Sequence, residues 1–168
     1  TTVENCILDT CAINDGAAIS VSRKVVIKDV QILNSQGGGI SCRTYGNLKI
    51  DGLVIDGTKN AGFSIYDKFE GKNITISNVE LYNVVLKDEA EVTFTDCVFG
   101  KSKQISVTCA KNSTLNLENV QIEGVEDEGA IGVRCSEGAT LNMLGDDNVI
   151  SGSTAVGVCL LKDATLNM

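Results

Sequence analysis

Short runs in which apolar and polar residues alternate recur along the whole chain. Each unit holds two apolar pairs separated by one Asn, Asp or Gly; in one unit the pairs are Val25/Ile27 and Val30/Ile32, with Asp29 between them. Alternation with a period of two predicts strands that bury one face. No run shows the periodicity of a helix. The pattern therefore predicts an all-β chain.

The same unit returns at intervals of roughly 18 to 26 residues, which is typical of a solenoid whose units pack on their neighbours. The pentapeptide ATLNM, for example, occurs at residues 139–143 and again at residues 164–168. A third strand, such as the one over residues 39–42, follows the two apolar pairs in each unit. Three short strands per unit predict a parallel β-helix of about seven coils, with about 23.5 residues per coil. Residues 1–168 are expected to form one such domain within a longer protein.

The residue between the two apolar pairs belongs to types that tolerate a left-handed backbone conformation. We therefore expect a sharp bend there, with neighbouring coils placing this residue in one row. The members of the predicted row are Asn5, Asp29, Gly52, Asn78, Asp96 and Asn119.

Segments such as residues 37–57 and 71–83 resemble the right-handed parallel β-helix family, which includes pectate lyases and bacterial surface adhesins. The resemblance implies a right-handed, single-stranded β-helix in which Asn5, Asp29, Asn78, Asp96 and Asn119 form the asparagine ladder of a tight turn. It also implies an extracellular or cell-surface location. The activity does not follow from the resemblance, because this architecture carries unrelated functions.

The amino-acid composition argues against several classes of function. The net charge of −8 argues against general binding to nucleic acid, and the absence of His removes the commonest general base and metal ligand. No apolar run approaches the roughly 18 residues of a membrane span. We expect no cofactor, although calcium is a weak alternative. Its candidate ligands are Asp67, Asp88 and Glu89 and the acidic segments 145–148 and 126–128.

The seven cysteines are an odd number, so a complete set of disulfides within the chain is impossible. The repeat predicts that Cys6, Cys42 and Cys97 point inward. Cys109 and Cys135 occupy equivalent positions in neighbouring coils, where they would either stack as thiols or pair. Cys11, in a loop, and Cys159, on an outward position, are the candidates for reactivity.

In enzymes with this fold, the resemblance implies that a polysaccharide lies along the third-strand sheet. Its outward rows here present small hydroxyl side chains and a recurring set of larger ones. The candidate ligand-binding residues are Ser41, Ser64 and Ser106 in one row and Arg43, Tyr66, Lys87 and Arg134 in the next. The cations would meet the carboxylates or sulfates of an acidic glycan, and Tyr66 would stack on a sugar ring. The alternative is that they are solvated charges on a plain sheet surface.

The sequence leaves three alternative functions open. The first is a structural or adhesive segment that contacts a glycan or a surface protein without catalysis. The second is a polysaccharide lyase that uses Arg43, Lys87 or Arg134 against a uronate. The third is a rod that assembles end to end into a filament, because Val3 and Met168 stand at the same phase of the coil.

Overall fold

The computed structural model describes residues 1–12, 16–124 and 130–168, so the predicted acidic segment 126–128 lies outside the described residues. The described residues form strands and no helix. The strands are β1 (Thr2–Asp9), β2 (Ala17–Val21), β3 (Val25–Ser35), β4 (Gly38–Cys42), β5 (Leu48–Thr58), β6 (Ala61–Ile65), β7 (Lys68–Val79), β8 (Tyr82–Leu86), β9 (Glu91–Phe99), β10 (Ile105–Cys109), β11 (Thr114–Ile122), β12 (Ile131–Cys135), β13 (Thr140–Leu144), β14 (Val149–Ile150), β15 (Val156–Leu160) and β16 (Thr165–Asn167).

The strands stack into two parallel sheets. The first sheet has the order β1-β3-β5-β7-β9-β11-β13-β16, with β14 paired to β11, and the second has the order β2-β4-β6-β8-β10-β12-β15. One coil combines a strand of the first sheet with the strand of the second sheet that follows it. Coil 1 is thus β1 and β2, coil 2 is β3 and β4, and coil 7 is β13 to β15. The prediction of an all-β parallel β-helix of about seven coils is confirmed.

In coils 1 to 6 the first two predicted strands run on as one bent strand, whereas in coil 7 they are the separate strands β13 and β14. In β3 the chain passes through Asp29 at a φ of 49° without losing its pairing with β5 on either side. A left-handed residue turns the chain while the flanking residues keep their hydrogen bonds to the neighbouring coil. Each coil therefore has three faces, but two of them belong to the same hydrogen-bonded sheet.

The structure corrects the row that was predicted for Asn78. Leu53 pairs with Ile74, so Ile74 belongs to the second apolar pair of its coil and not to the first. Asn73, at a φ of 55°, stands in the row of Asp29, and Asn78 lies one row further on. The first pair escaped detection because Gly71 occupies one of its inward positions.

The space beside Gly71 is filled by an aromatic ring. A Cβ atom at Gly71 would lie 2.7 Å from the ring of Phe69 and 2.6 Å from Ile74 Cδ1, so the ring and the Ile74 side chain together fill the place of the missing side chain. Phe69 lies in a connected group of four rings with Phe63, Phe94 and Phe99, whose contacting centroids are 4.9 to 6.0 Å apart. The remaining core is mainly Ile, Val and Leu from all three faces. Cys6 is only partly buried.

The cysteines are free thiols in the structure. Cys42, Cys97, Cys109 and Cys135 are buried, while Cys11 and Cys159 are partly exposed. Cys109 pairs with Cys135 in the register of β10 and β12, as the sequence predicted, and the two stack as thiols.

Within the described residues, no helix is long and apolar enough to cross a membrane.

Candidate ligand-binding groove

A groove of about 700 Å³ runs along the outer face of the second sheet. It begins beside Ala17 in coil 1 and reaches Arg134 in coil 6. Since neighbouring parallel strands are about 4.8 Å apart, six coils give it a length of about 24 Å along the helix axis. The groove is open to solvent and has the shape of a track for an extended ligand.

Three rows of side chains form the groove. The floor row follows the register of the sheet and consists of Ser41, Ser64, Val85, Thr108 and Arg134. The rim row lies two residues further along the chain, directly after the end of each strand, and contains Arg43, Tyr66 and Lys87. The wall row on the other side is largely apolar and contains Ala17, Gly38, Ala61, Tyr82 and Ile105. In cross-section the groove therefore has an apolar wall, a floor that is mostly hydroxyl-bearing, and a cationic rim.

The groove brings together six of the seven side chains that the sequence singled out. They are Ser41, Ser64, Arg43, Tyr66, Lys87 and Arg134.

Ser106 is the exception, and its predicted place in the groove is wrong. Its side chain is fully buried at 0% exposure, and its Oγ accepts a hydrogen bond of 2.8 Å from Asn83 Nδ2. The register places Thr108 in the floor row instead, and Arg134 joins that row rather than the rim. A shift of two residues leaves the alternation of inward and outward positions intact, so the sequence pattern did not reveal it.

The groove cations have no carboxylate partner among the described residues. The ion pairs among the described residues lie elsewhere, as in Lys49–Glu70 and Lys68–Glu91, which both join neighbouring strands of the first sheet. A hydrogen bond and the charge of Glu91 raise the pKa of Lys68. Lys87 instead places its ammonium 5.6 Å from the ring centre of Tyr66. The groove is thus a cationic strip on a chain of net charge −8.

Two carboxylates beside the rim are engaged by the backbone of a neighbouring coil. Asp67 accepts a hydrogen bond of 2.8 Å from the N–H of Tyr45, and Asp88 accepts one of 3.2 Å from the N–H of Lys111. Both therefore fasten turns, which accounts for acidic residues so close to the cations. The described residues hold no group of three or more side chains suited to a metal ion.

The predicted acidic segment 145–148 is held by its last residue. The side chain of Asn148 accepts a hydrogen bond of 3.0 Å from the N–H of Val120 and donates one of 2.8 Å to the carbonyl of Leu144. These two hydrogen bonds hold the loop against coil 6, and they are made by the side-chain amide of Asn148 and not by the aspartates of the segment.

The wall residues of the groove were not among the candidates from the sequence. Tyr82 and Ile105 line the groove, and the hydroxyl of Tyr82 donates a 3.3 Å hydrogen bond to Gln104 Oε1. Tyr82 was not predicted as a groove residue because it is the first residue of β8 and precedes the alternating part of that strand. The turn lengths, which vary from coil to coil, hide this position in the sequence.

Comparison with known proteins identifies a family. The sequence model of a family described as "Right handed beta helix region" matches residues 1–126. No curated protein and no solved structure matches the chain. The match covers the larger part of the groove, including every rim residue named above.

Proposed function

This chain belongs to the right-handed β-helix family, and we propose that it binds an acidic polysaccharide in the groove of its second sheet, without cleaving it. The observation that carries the proposal is the set of Arg43, Lys87 and Arg134 along one open groove, none of them paired with a carboxylate of the described residues. Cations that have no carboxylate partner among the described residues of an acidic protein favour an anionic ligand.

The three rows match the chemistry of a sugar polymer. Guanidinium groups bind carboxylates through two parallel hydrogen bonds, and the ammonium of Lys87 supplies a point charge. Ser41, Ser64 and Thr108 offer hydroxyls to the sugar hydroxyls. The apolar wall, which includes Tyr82, suits the C–H faces of sugar rings. An open groove about 24 Å long suits several consecutive sugars rather than a small molecule.

The sequence predicted that Tyr66 stacks on a sugar ring, and we propose a different contact with the ligand. The ammonium of Lys87 lies over one face of its ring. A sugar would have to displace this ammonium before it could stack on that face. We therefore expect the hydroxyl and the ring edge of Tyr66 to contact the ligand.

Binding without turnover is supported by the side chains available. The chain contains no His, and the nearby Asp67 and Asp88 are hydrogen-bonded to backbone N–H groups. We extend the proposal to an adhesive role outside the cell or at its surface, where acidic polysaccharides occur. A stiff stack of coils would present the groove there for repeated weak contacts with a polymer.

The test compares hyaluronan, an acidic polymer, with neutral dextran. We expect the protein to bind hyaluronan and not dextran. We expect the combined Arg43→Ala, Lys87→Ala and Arg134→Ala variant to bind about tenfold more weakly, because each exposed ion pair contributes about 0.2–1 kcal/mol. The readout is the dissociation constant from titration calorimetry, with circular dichroism to verify folding.

The matched control removes the same charge outside the groove. The combined Lys28→Ala, Lys49→Ala and Lys101→Ala variant should bind hyaluronan within about twofold of the unmodified protein, because these side chains do not line the groove. Equal losses in both variants, or no preference for hyaluronan over dextran, would contradict the proposal. Release of unsaturated uronate products, detected by their ultraviolet absorbance, would replace it with the lyase alternative.

A further inference from the structure

The groove cations are spaced by two coils. Arg43 belongs to coil 2, Lys87 to coil 4 and Arg134 to coil 6. The intervening coils present uncharged side chains at the same rows, namely Ser64 and Tyr66 in coil 3 and Thr108 and Ala110 in coil 5. Because neighbouring coils are about 4.8 Å apart, the positive charges recur at about 10 Å along the axis.

An extended glycan advances by about one coil spacing for each sugar ring. A polymer lying in the groove therefore places one sugar on each coil. From this spacing we propose that the groove selects a glycan whose carboxylate occurs on every second sugar, with neutral sugars between. This inference rests on the proposed binding of acidic polysaccharides and names the charge pattern of the ligand.

The contacts in coil 3 support a neutral sugar at that position. Tyr66 lies between Arg43 and Lys87 along the rim, and its ring is in a cation–π contact with Lys87. Neither Ser64 nor Tyr66 supplies a positive charge to a carboxylate opposite coil 3. A carboxylate opposite coil 3 or coil 5 would also lose water without gaining a cation in return. A polymer with a carboxylate on every sugar would therefore leave half of its charges unmatched.

The test compares two oligosaccharides of eight sugars at equal ionic strength. The hyaluronan octamer has a carboxylate on alternate sugars, and the galacturonate octamer has one on every sugar. We expect the unmodified protein to bind the hyaluronan octamer more tightly. In the Ala110→Lys variant, which adds a cation to the rim in coil 5, the galacturonate octamer should gain about two- to fivefold in affinity. The hyaluronan octamer should gain little.

The change in the ratio of the two affinities is the decisive readout, because differences in linkage and shape between the two sugars cancel in it. Gln121→Lys is the matched control: it adds the same charge at an exposed position on the first sheet and should leave the ratio unchanged. Tighter binding of the galacturonate octamer by the unmodified protein, or an equal gain for both octamers in Ala110→Lys, would overturn the alternating pattern and leave the proposed function standing. Failure of both octamers to bind the unmodified protein would overturn both.

Discussion

Single residues with a left-handed backbone shape each coil, and their side chains tie neighbouring coils together. Asn119 has a φ of 53°, and its Nδ2 donates a 2.7 Å hydrogen bond to Asp96 Oδ1 in the coil before. Asn34 makes the same kind of bond to Asp9, at 3.1 Å. That bond is the main reason why the pKa of Asp9 lies below its usual value. The amide thus serves both the bend and the contact between coils.

Two substitutions separate these contributions at Asn119. Asn119→Ala loses the hydrogen bond and also places a Cβ-bearing residue without a polar side chain at a positive φ, so we expect a loss of about 1–3 kcal/mol in the free energy of unfolding. Asn119→Gly keeps the bend and loses only the hydrogen bond, so its loss should be smaller. Urea denaturation measures both. Equal losses would show that backbone strain contributes nothing at this position.

At the scale of the strand, the packing of one coil on the next sets where side chains are excluded. Gly62 lies at the corner where β6 begins. A Cβ atom there would come within 2.7 Å of the carbonyl oxygen of Asn83 and 3.1 Å of Ile76 Cγ2. Gly157 occupies the equivalent corner in coil 7, where a Cβ atom would meet nothing within 4 Å. The two glycines have the same place in the repeat and different surroundings.

We expect Gly62→Ala to lower the free energy of unfolding by about 1–3 kcal/mol, because the strand must shift to accept the methyl group. Gly157→Ala should change it by less than about 1 kcal/mol in either direction, since there is space for the side chain. Chemical denaturation of the two variants, side by side with the unmodified protein, provides the measurement. A large loss at Gly157 would mean that the corner glycines are required for their backbone conformation rather than for space.

The strand is also the scale at which the sequence could and could not predict the structure. The alternation of apolar and polar residues identified the strands and the parallel stack, because a strand that buries one face has an apolar residue at every second position. Register was harder, because Ser106 and Thr108 both fit that period and only packing decides between them. The paired positions of the second sheet advance by 21 residues from Ile19 to Ile40 and by 26 from Val107 to Val133. Because the turn lengths vary in this way, the register between coils could not be predicted from the repeat alone.

The candidate site could also be predicted only in part: the rim of the groove was found, and its wall was not. The rim residues Arg43, Tyr66 and Lys87 were found because each directly follows an inward residue at the end of its strand. The wall was missed because a residue such as Tyr82 precedes the alternating part of its strand. No sequence pattern indicated that it would turn outward beside Ile105.

On the scale of the whole molecule, the buried thiols predict how stability depends on pH. Burial is the main reason why the pKa of Cys42 rises to about 11 and that of Cys97 to about 12, against 9.0 for an unperturbed thiol. Between pH 9 and these values the unfolded chain loses thiol protons that the folded chain keeps. The contribution of these thiols to stability is therefore complete below pH 9 and is lost as the pH rises toward 11 and 12.

We expect the free energy of unfolding to be lower at pH 10 than at pH 8, and the difference to be smaller in Cys97→Ala. Replacing Cys97 also costs stability at both pH values, because it leaves a small cavity, so the pH difference rather than the absolute value is the readout. Reversible urea unfolding under reducing conditions at the two pH values gives it. An unchanged difference in Cys97→Ala would exclude this thiol as a source of the pH dependence.

The neighbour-only pairing of the coils has a mechanical consequence. Each ladder of hydrogen bonds joins a coil to the one before it and the one after it, and the described strands make no pairing that skips a coil. A force that pulls on the two ends of the chain therefore acts first on an outermost coil and breaks its hydrogen bonds to the next coil one after another. We expect extension to proceed in steps that each release one coil, 21 to 26 residues of chain, while the coils beyond the opening stay folded.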